Sequence, residues 1–260
     1  MPIQDNSQMK KTVTRVLIVV VVLALLIASG IKTQSSFSEL IDGLPQIGVL
    51  ITEMVPPDMH YLSEIWQPMA DTLRMAIIGT TLGAILAIPF SILAAKNVIK
   101  SKILNFISRF VLSIIRTIPD LLFASLFVAI FGLGMLPGIL AIAFFSFGLV
   151  AKLEYESMET IDDGPLEAMT AVGANKLQWI FFAVIPQALP QFISYVLYAF
   201  EINVRAASVL GLVGAGGIGL YLDKTLGLFQ YTRTSTIILV TLVIVVAIDF
   251  ISAKVRESLL

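Results

Sequence analysis

The chain has 260 residues, of which 57% are hydrophobic and only 13% are charged, and its formal net charge is −1. Globular domains carry about 25% charged residues, so this composition excludes a soluble surface, a disordered chain and a nucleic-acid binder with a basic surface. Cysteine is absent and His60 is the only histidine, so we expect no disulfide, no metal site and no cofactor. The composition predicts an integral membrane protein.

Six apolar stretches are long enough to cross a bilayer as helices, which takes about 20 residues each. Continuous apolar runs of this length exclude the alternating pattern of a membrane β-barrel. We therefore predict an all-α membrane fold with six transmembrane helices. The predicted spans are residues 13–31, 73–95, 110–133, 136–151, 185–207 and 234–253.

The first span follows Lys10, Lys11 and Arg15 and is either a signal peptide or a retained anchor. Its apolar run is longer than that of a usual signal peptide, and no clear cleavage feature follows, so we favour the anchor. The predicted organisation is an N-terminal anchor helix (1–31), an outer interfacial segment (32–71) and a five-helix core (72–260) that includes the connection 152–184.

Basic residues predict the orientation, because cytoplasmic loops carry an excess of Lys and Arg. With the N-terminus in the cytoplasm, eleven basic residues fall on the cytoplasmic side and three on the outer side. We therefore predict that both termini are cytoplasmic. In the outer segment 32–71, apolar residues at helical spacing predict an amphipathic helix that lies at the membrane interface.

The connection 152–184 falls on the cytoplasmic side. Asp162 or Asp163 is placed to cap a short helix, with Pro165 in its first turn and Gly173 at its end. A second short helix is predicted to begin near Asn175. A plain linker does not need a capped amphipathic helix, so we interpret this unit as a folded helix–Gly–helix element and not as a linker.

This loop resembles the signature of the permease subunits of ABC importers, which reads Glu-Ala-Ala, three residues, Gly, nine residues, Ile-x-Leu-Pro. Four positions match it at these spacings: Glu167, Ala168, Gly173 and Pro186. Met169, Ala183 and Ile185 are conservative replacements. From about Pro56 to the C-terminus, the chain is similar to the phosphonate-type permeases of that superfamily. The segments that carry this similarity are RTIPD (116–120), DDGPLEAM (162–169), IPQALPQF (185–192) and FEINVRAASVLGLVGAGGIG (200–219).

The resemblance implies a type I ABC importer permease in a bacterial inner membrane, paired with a second copy or a close homologue. It implies two ATPase subunits and a periplasmic or lipid-anchored binding protein that delivers phosphonate or a related phosphorus oxyanion. The chain has no G-x-x-x-x-G-K-[ST] loop, so ATP hydrolysis is expected in the partner and not here. The residues expected to couple to the ATPase are Asp162, Asp163, Gly164, Pro165, Glu167, Ala168, Met169, Gly173 and Ala174.

Charged residues inside membrane spans are costly and therefore suggest function. Arg116 and Asp120 are four residues apart in the third predicted span, and Glu201 and Arg205 repeat that spacing in the fifth, which predicts two ion pairs along helix faces. These pairs are either structural, or their arginines line the route and bind an oxyanion weakly. The predicted pathway residues are Arg116, Pro119, Asp120, Glu201, Asn203, Arg205, Ser208, Gly214, Gly216 and Gly217.

The glycines of residues 211–219 indicate either tight helix packing or a gating hinge. They contain a G-x-G-x-x-G pattern, but no strand precedes it and no acid follows about 20 residues later, so a dinucleotide site is not expected. The alternatives to a phosphorus oxyanion importer are an ABC permease for another small solute and a secondary transporter. The secondary transporter is less favoured because the sequence shows no convincing inverted repeat.

Overall fold

The computed structural model describes residues 5–33 and 37–259, which form eleven α-helices and no strand. The all-α prediction is confirmed for these residues. The helices are α1 (Asp5–Lys32), α2 (Phe37–Glu53), α3 (Leu62–Ala94), α4 (Lys102–Thr117), α5 (Asp120–Phe131), α6 (Met135–Met158), α7 (Asp163–Ala171), α8 (Lys176–Trp179), α9 (Ile185–Leu210), α10 (Ile218–Gly227) and α11 (Tyr231–Leu259).

The chain divides into two units, residues 1–53 and residues 54–260. The first unit contains α1, whose 28 residues are enough to cross a bilayer, and α2, which has 17 residues. The interfacial position of α2 and the three-part organisation of the chain stay predictions. The second unit contains the other nine helices, and all the candidate site residues lie in it.

The described chain has five helices that are long and apolar enough to span a membrane, and six candidate spans if α4 and α5 count as one. Each of the six stretches predicted from the sequence overlaps one of these helices, and the third overlaps the pair of α4 and α5. α3 begins eleven residues before the predicted start, after a 3₁₀ turn (Met59–Tyr61) in which Asp58 accepts the backbone N–H of His60. The short helix α10 was not predicted and connects α9 to α11.

The third predicted span is broken in the middle. α4 ends at Thr117 and α5 begins at Asp120, and the two helices differ in direction by 86°. A proline disfavours the helical conformation in the residue before it, and Ile118, which precedes Pro119, is extended with ψ 121°. The prediction of one continuous helix over 110–133 is therefore wrong.

The centre of the second unit is a close contact between α3 and α6. A Cβ atom on Gly79 would lie 2.6 Å from Cγ2 of Ile142, and one on Gly83 would lie 2.5 Å from the carbonyl oxygen of Ala143. Small residues of this kind allow membrane helices to approach each other closely. The packed pair of α3 and α6 is the framework on which the other helices position the candidate site.

Candidate functional site

The capped helix predicted in the connection 152–184 is α7. A side-chain oxygen of Asp162 accepts the backbone N–H of Gly164 at 3.0 Å, so Asp162 and not Asp163 is the N-cap. Gly173 has φ 74°, in the left-handed region that favours glycine, and the N–H of Ala174 donates to the carbonyl of Met169 at 3.1 Å. The cap and the end of this helix are therefore where the sequence predicts them.

Two side chains that are not among the predicted coupling residues form hydrogen bonds that connect α7 to the following helices. Trp179 Nε1 donates to the carbonyl of Leu166 at 3.0 Å, and Gln187 Oε1 accepts the N–H of Asp162 at 3.1 Å. Leu166 itself is buried in one apolar cluster with Met158 and other residues of α6 and α9. α7 is thus joined to both neighbouring spans.

The second short helix, α8, begins with a capping box. Asn175 Oδ1 accepts the N–H of Gln178 at 2.9 Å, and Gln178 Oε1 accepts the N–H of Asn175 at 3.0 Å. This pattern was visible in the sequence as Asn-x-x-Gln and is a known start of a helix. It fixes the position of Trp179 at the end of α8, which sequence reasoning missed.

The predicted coupling residues form an accessible surface. Met169 and Ala174 are half-buried, and the other seven are exposed. A groove of about 430 Å³ runs beside α7, and its lining includes Lys100, Glu167, Thr170 and Trp179. α7 therefore presents an exposed face with a groove at its side.

Arg116 and Asp120 do not form the predicted ion pair. The bend at Pro119 places them on different helices, and Asp120 accepts the N–H of Leu121 at 2.9 Å instead. Arg116 packs its aliphatic part close to Gly148 of α6, where a Cβ atom would lie 2.8 Å from Arg116 Cγ. Arg116 is exposed and has no carboxylate partner within the described residues. The prediction of a shared helix face is wrong, because it assumed an unbroken helix.

The predicted pair of Glu201 and Arg205 is confirmed, with a distance of 3.0 Å between Glu201 Oε1 and Arg205 Nη2. It belongs to a larger network between α9 and α11. Arg205 Nη1 also lies 2.8 Å from Asp249 Oδ2, and Arg256 Nη2 lies 3.0 Å from Glu201 Oε2. Sequence reasoning missed Arg256, although its spacing of seven from Asp249 puts both on one side of α11.

Asn203 and Ser208 are buried in this conformation. Asn203 Nδ2 donates to Thr80 Oγ1 at 2.7 Å and to Ser146 Oγ at 2.6 Å, so it connects α9 with α3 and α6. Ser208 donates to the carbonyl of Val204 in its own helix at 3.0 Å. Asn203 therefore holds three helices together, whereas Ser208 bonds only within α9 and lines a mostly apolar pocket of about 300 Å³ beside Arg205.

The glycine-rich segment is a tightly packed turn. Gly214, Gly216 and Gly217 have φ between 71° and 85°, a region that side chains other than glycine rarely adopt. A Cβ on Gly217 would lie 2.6 Å from Thr72 Oγ1, which also accepts the N–H of Ile218 at 2.8 Å. Of the two interpretations of these glycines, tight packing and a gating hinge, these contacts favour tight packing. They join the segment to α3.

Several helices long and apolar enough to cross a bilayer define a multi-pass membrane protein. Residues 87–257, about two thirds of the chain, match the family described as the binding-protein-dependent transport system inner membrane component. The chain belongs to this family.

Relatives with assigned names are similar over most of the chain. The phosphite transport system permease protein PtxC of Stutzerimonas stutzeri is 38% identical over 218 residues, which are 84% of this chain and 79% of PtxC. The phosphate-import permease protein PhnE of Mycolicibacterium smegmatis is 39% identical over 221 residues, which are 85% of this chain and 42% of PhnE.

The fold is also similar to a solved structure, an inward facing conformation of the MetNI methionine ABC transporter. The TM-score is 0.68 at 20% identity, over 78% of this chain and 99% of that chain. The predicted type I ABC importer permease fold is therefore confirmed. As a permease of this family, the chain is a multi-pass membrane protein that works with an ATPase, a substrate-binding protein and a second permease subunit.

Proposed function

We propose that the chain forms half of the transmembrane pathway of an ATP-driven importer for a small phosphorus oxyanion, such as phosphite or phosphonate. The names of PtxC and PhnE support this class of substrate. The observation that carries the proposal is Arg116, an exposed arginine at a bend within a candidate span that has no carboxylate partner in the described part of the chain.

Arg116 is suited to bind an oxyanion. It lies 14 residues from the start of α4, which is about 21 Å along the helix. A charged group within a candidate span is expected to face a water-filled route or a protein partner, because exposure to lipid is costly. The guanidinium group carries five N–H donors whose geometry matches an oxyanion. Arg109 and Lys102 precede Arg116 at intervals of seven residues, so all three share one flank of α4.

Arg205 is less suited to this role in the conformation described. Its guanidinium group is in contact with the two carboxylates of Glu201 and Asp249, and their negative charge repels an anion. The four groups of the network carry two positive and two negative charges, so they are neutral together. We propose that Arg205 stabilises the contact of α9 with α11, and that it meets the substrate only if the network opens.

The other predicted pathway residues are proposed to shape the route. Pro119 sets the bend that exposes Arg116, with Asp120 as the first residue after it. Asn203 holds α9 against α3 and α6, and Ser208 lines a pocket beside Arg205. Gly214, Gly216 and Gly217 form the packed turn after α9.

We propose that α7 docks on the ATPase and that ATP-driven closure of two ATPase subunits moves the attached spans as rigid bodies. Support for this comes from the exposed face of α7 and from its fastening by Trp179 and Gln187. We further propose that both termini and α7 are cytoplasmic, as the basic residues indicate. A binding protein on the outer side would deliver the substrate, and the second permease would be another copy or a homologue.

Uptake measurements test the oxyanion site. The permease is reconstituted in proteoliposomes with its ATPase and binding protein, and uptake of radiolabelled phosphite and phosphonate is measured. We expect Arg116→Gln to lower uptake at least ten-fold, since it removes the charge, while Arg116→Lys retains a part. Arg74→Gln is the matched control, because Arg74 is 57% exposed and pairs only with Asp71. Unchanged uptake by Arg116→Gln in an intact complex would refute the site.

Coupling is tested in the same vesicles through the end of α7. Gly173 and Gly227 both have free space where a Cβ would lie, but only Gly173 has a positive φ. We expect Gly173→Ala to cost about 1–2 kcal/mol of local stability and to lower substrate-stimulated ATP hydrolysis, whereas Gly227→Ala does not. Uptake that persists without the ATPase would instead show a secondary transporter.

A further inference from the structure

A basic pocket lies where the end of α3 meets the start of α4. It is an open pocket of about 760 Å³. Its lining includes four basic residues and two phenylalanines, namely Lys96, Lys100, Lys102, Arg109, Phe106 and Phe110. This pocket does not include Arg116, but it shares Lys100 with the groove beside α7, and its Lys102 and Arg109 lie on the same flank of α4 as Arg116.

The positive charge of the pocket is not compensated. Arg109 is occupied, because it lies 2.5 Å from Glu159 and donates to the carbonyl of Ala94 at 2.9 Å. The three lysines are exposed, and none of them has a carboxylate within salt-bridge distance among the described residues. A pocket with three free ammonium groups attracts an anion.

The helix next to these lysines carries an uncovered apolar surface, here called the α4 stripe. Its residues are 48–72% exposed and are Ile103, Phe106, Ile107, Phe110 and Ile114. The rings of Phe106 and Phe110 are stacked with centroids 6.0 Å apart. The opposite face of α4, with Asn105, Ser108 and Leu112, is buried against the rest of the unit. Something apolar must therefore cover the α4 stripe in a membrane.

The lysines and the α4 stripe follow each other along α4 in the same order as the phosphate and the acyl chains of a phospholipid. Lys102 is the first residue of α4, and the stripe runs from Ile103 to Ile114, which is about 17 Å along the helix. One leaflet of a bilayer has about 15 Å of hydrocarbon. A lipid phosphate at the lysines would thus place its acyl chains along the stripe, toward the middle of the membrane.

We propose that the basic pocket and the α4 stripe bind an anionic phospholipid of the cytoplasmic leaflet, with its phosphate between Lys96, Lys100 and Lys102. Basic pockets on the cytoplasmic side of membrane helices are suited to such head groups. A second copy of this chain is a poorer occupant, because a two-fold contact would bring the same lysines toward each other. This proposal does not depend on which solute the permease transports.

Native mass spectrometry of the purified permease tests the proposal. Phosphatidylglycerol and phosphatidylcholine with identical chains are added, and the retained lipid is measured. We expect the protein to prefer phosphatidylglycerol, and the double variant Lys100→Gln/Lys102→Gln to lower its retention by up to about 30-fold. The control Lys224→Gln/Lys254→Gln removes two lysines outside the pocket and should keep the preference. Lys102→Gln alone should show a smaller loss of up to about five-fold.

Three results would overturn the proposal. The first is equal retention of the two lipids by the unaltered protein, and the second is an unchanged preference in the double variant. The third concerns the occupant of the stripe: because the chain has no cysteine, a Phe106→Cys variant that forms disulfide-linked dimers in membranes would show that a second copy covers it. Added inorganic phosphate tests whether the pocket binds a free anion and not a lipid. We expect that it does not displace the lipid, because it lacks acyl chains.

Discussion

The network between α9 and α11 allows two roles of Arg205 to be separated. Because Arg205 contacts both Glu201 and Asp249, at 3.0 and 2.8 Å, we predict that it is needed mainly to hold the two helices together. The perturbation is a double-mutant cycle with Arg205→Gln and Asp249→Asn, made singly and together. Glutamine and asparagine remove the charges but keep polar side chains.

The size of the effect follows from the exposure of the two side chains. Hydrogen bonds to charged groups contribute about 1.5–3 kcal/mol, whereas exposed ion pairs contribute about 0.2–1 kcal/mol. Arg205 is 44% exposed and Asp249 is 35% exposed, so their contact falls between these ranges. We expect Asp249→Asn to lower the free energy of unfolding by about 1–2 kcal/mol, which lowers Tm by about 2–8 °C in a chain of this size.

Thermal unfolding of the purified permease in detergent measures the cycle. Both single variants break the same contact, so the double variant should lose about 1 kcal/mol less than the sum of the two. Arg74→Gln, which breaks an exposed pair with Asp71, should change Tm by less than about 2 °C. The reasoning is refuted if Arg205→Gln leaves Tm unchanged but abolishes oxyanion uptake, since Arg205 would then be a substrate site.

Two further predictions concern α7 and the framework. Trp179→Phe should lower substrate-stimulated ATP hydrolysis, because the indole N–H that bonds to Leu166 is lost, while Trp66→Phe changes an exposed ring and should have no effect. Gly83→Ala should lower the thermal stability of the permease by about 1–3 kcal/mol, because its Cβ would press on the backbone of α6, whereas Gly48→Ala meets open space. If Trp179→Phe and Trp66→Phe had equal effects, the bond of Trp179 to Leu166 would have no role in coupling. If Gly83→Ala and Gly48→Ala had equal effects, the close contact of α3 with α6 would be contradicted.

The positions of the spans could be predicted because hydropathy acts over about 20 residues of continuous sequence. The start and end of α7 could be predicted for a similar reason. Asp162 accepts the N–H of Gly164 at the start of α7, and at its end Gly173 adopts a left-handed φ while the N–H of Ala174 bonds to Met169. Each of these interactions joins residues that are close in the chain.

The failure at Arg116 and Asp120 shows where periodicity is not enough. A spacing of four predicts a shared face only if the helix is continuous. Pro119 lies between these two residues and removes that condition, and the bend of 86° separates them. The dipeptide Ile118-Pro119 indicates a helix break. It was overlooked because the residues around it form a continuous apolar stretch.

The sequence alone determined the membrane class, the approximate positions of the spans, the capped loop and the resemblance to ABC permeases, because each depends on composition or on neighbouring residues. Only the tertiary structure decided which distant groups meet. Asn203 joins Thr80 and Ser146, and Arg256 meets Glu201 across two helices. The physical reason is that such contacts depend on how the helices pack, and several arrangements of the same helices would satisfy the same hydropathy.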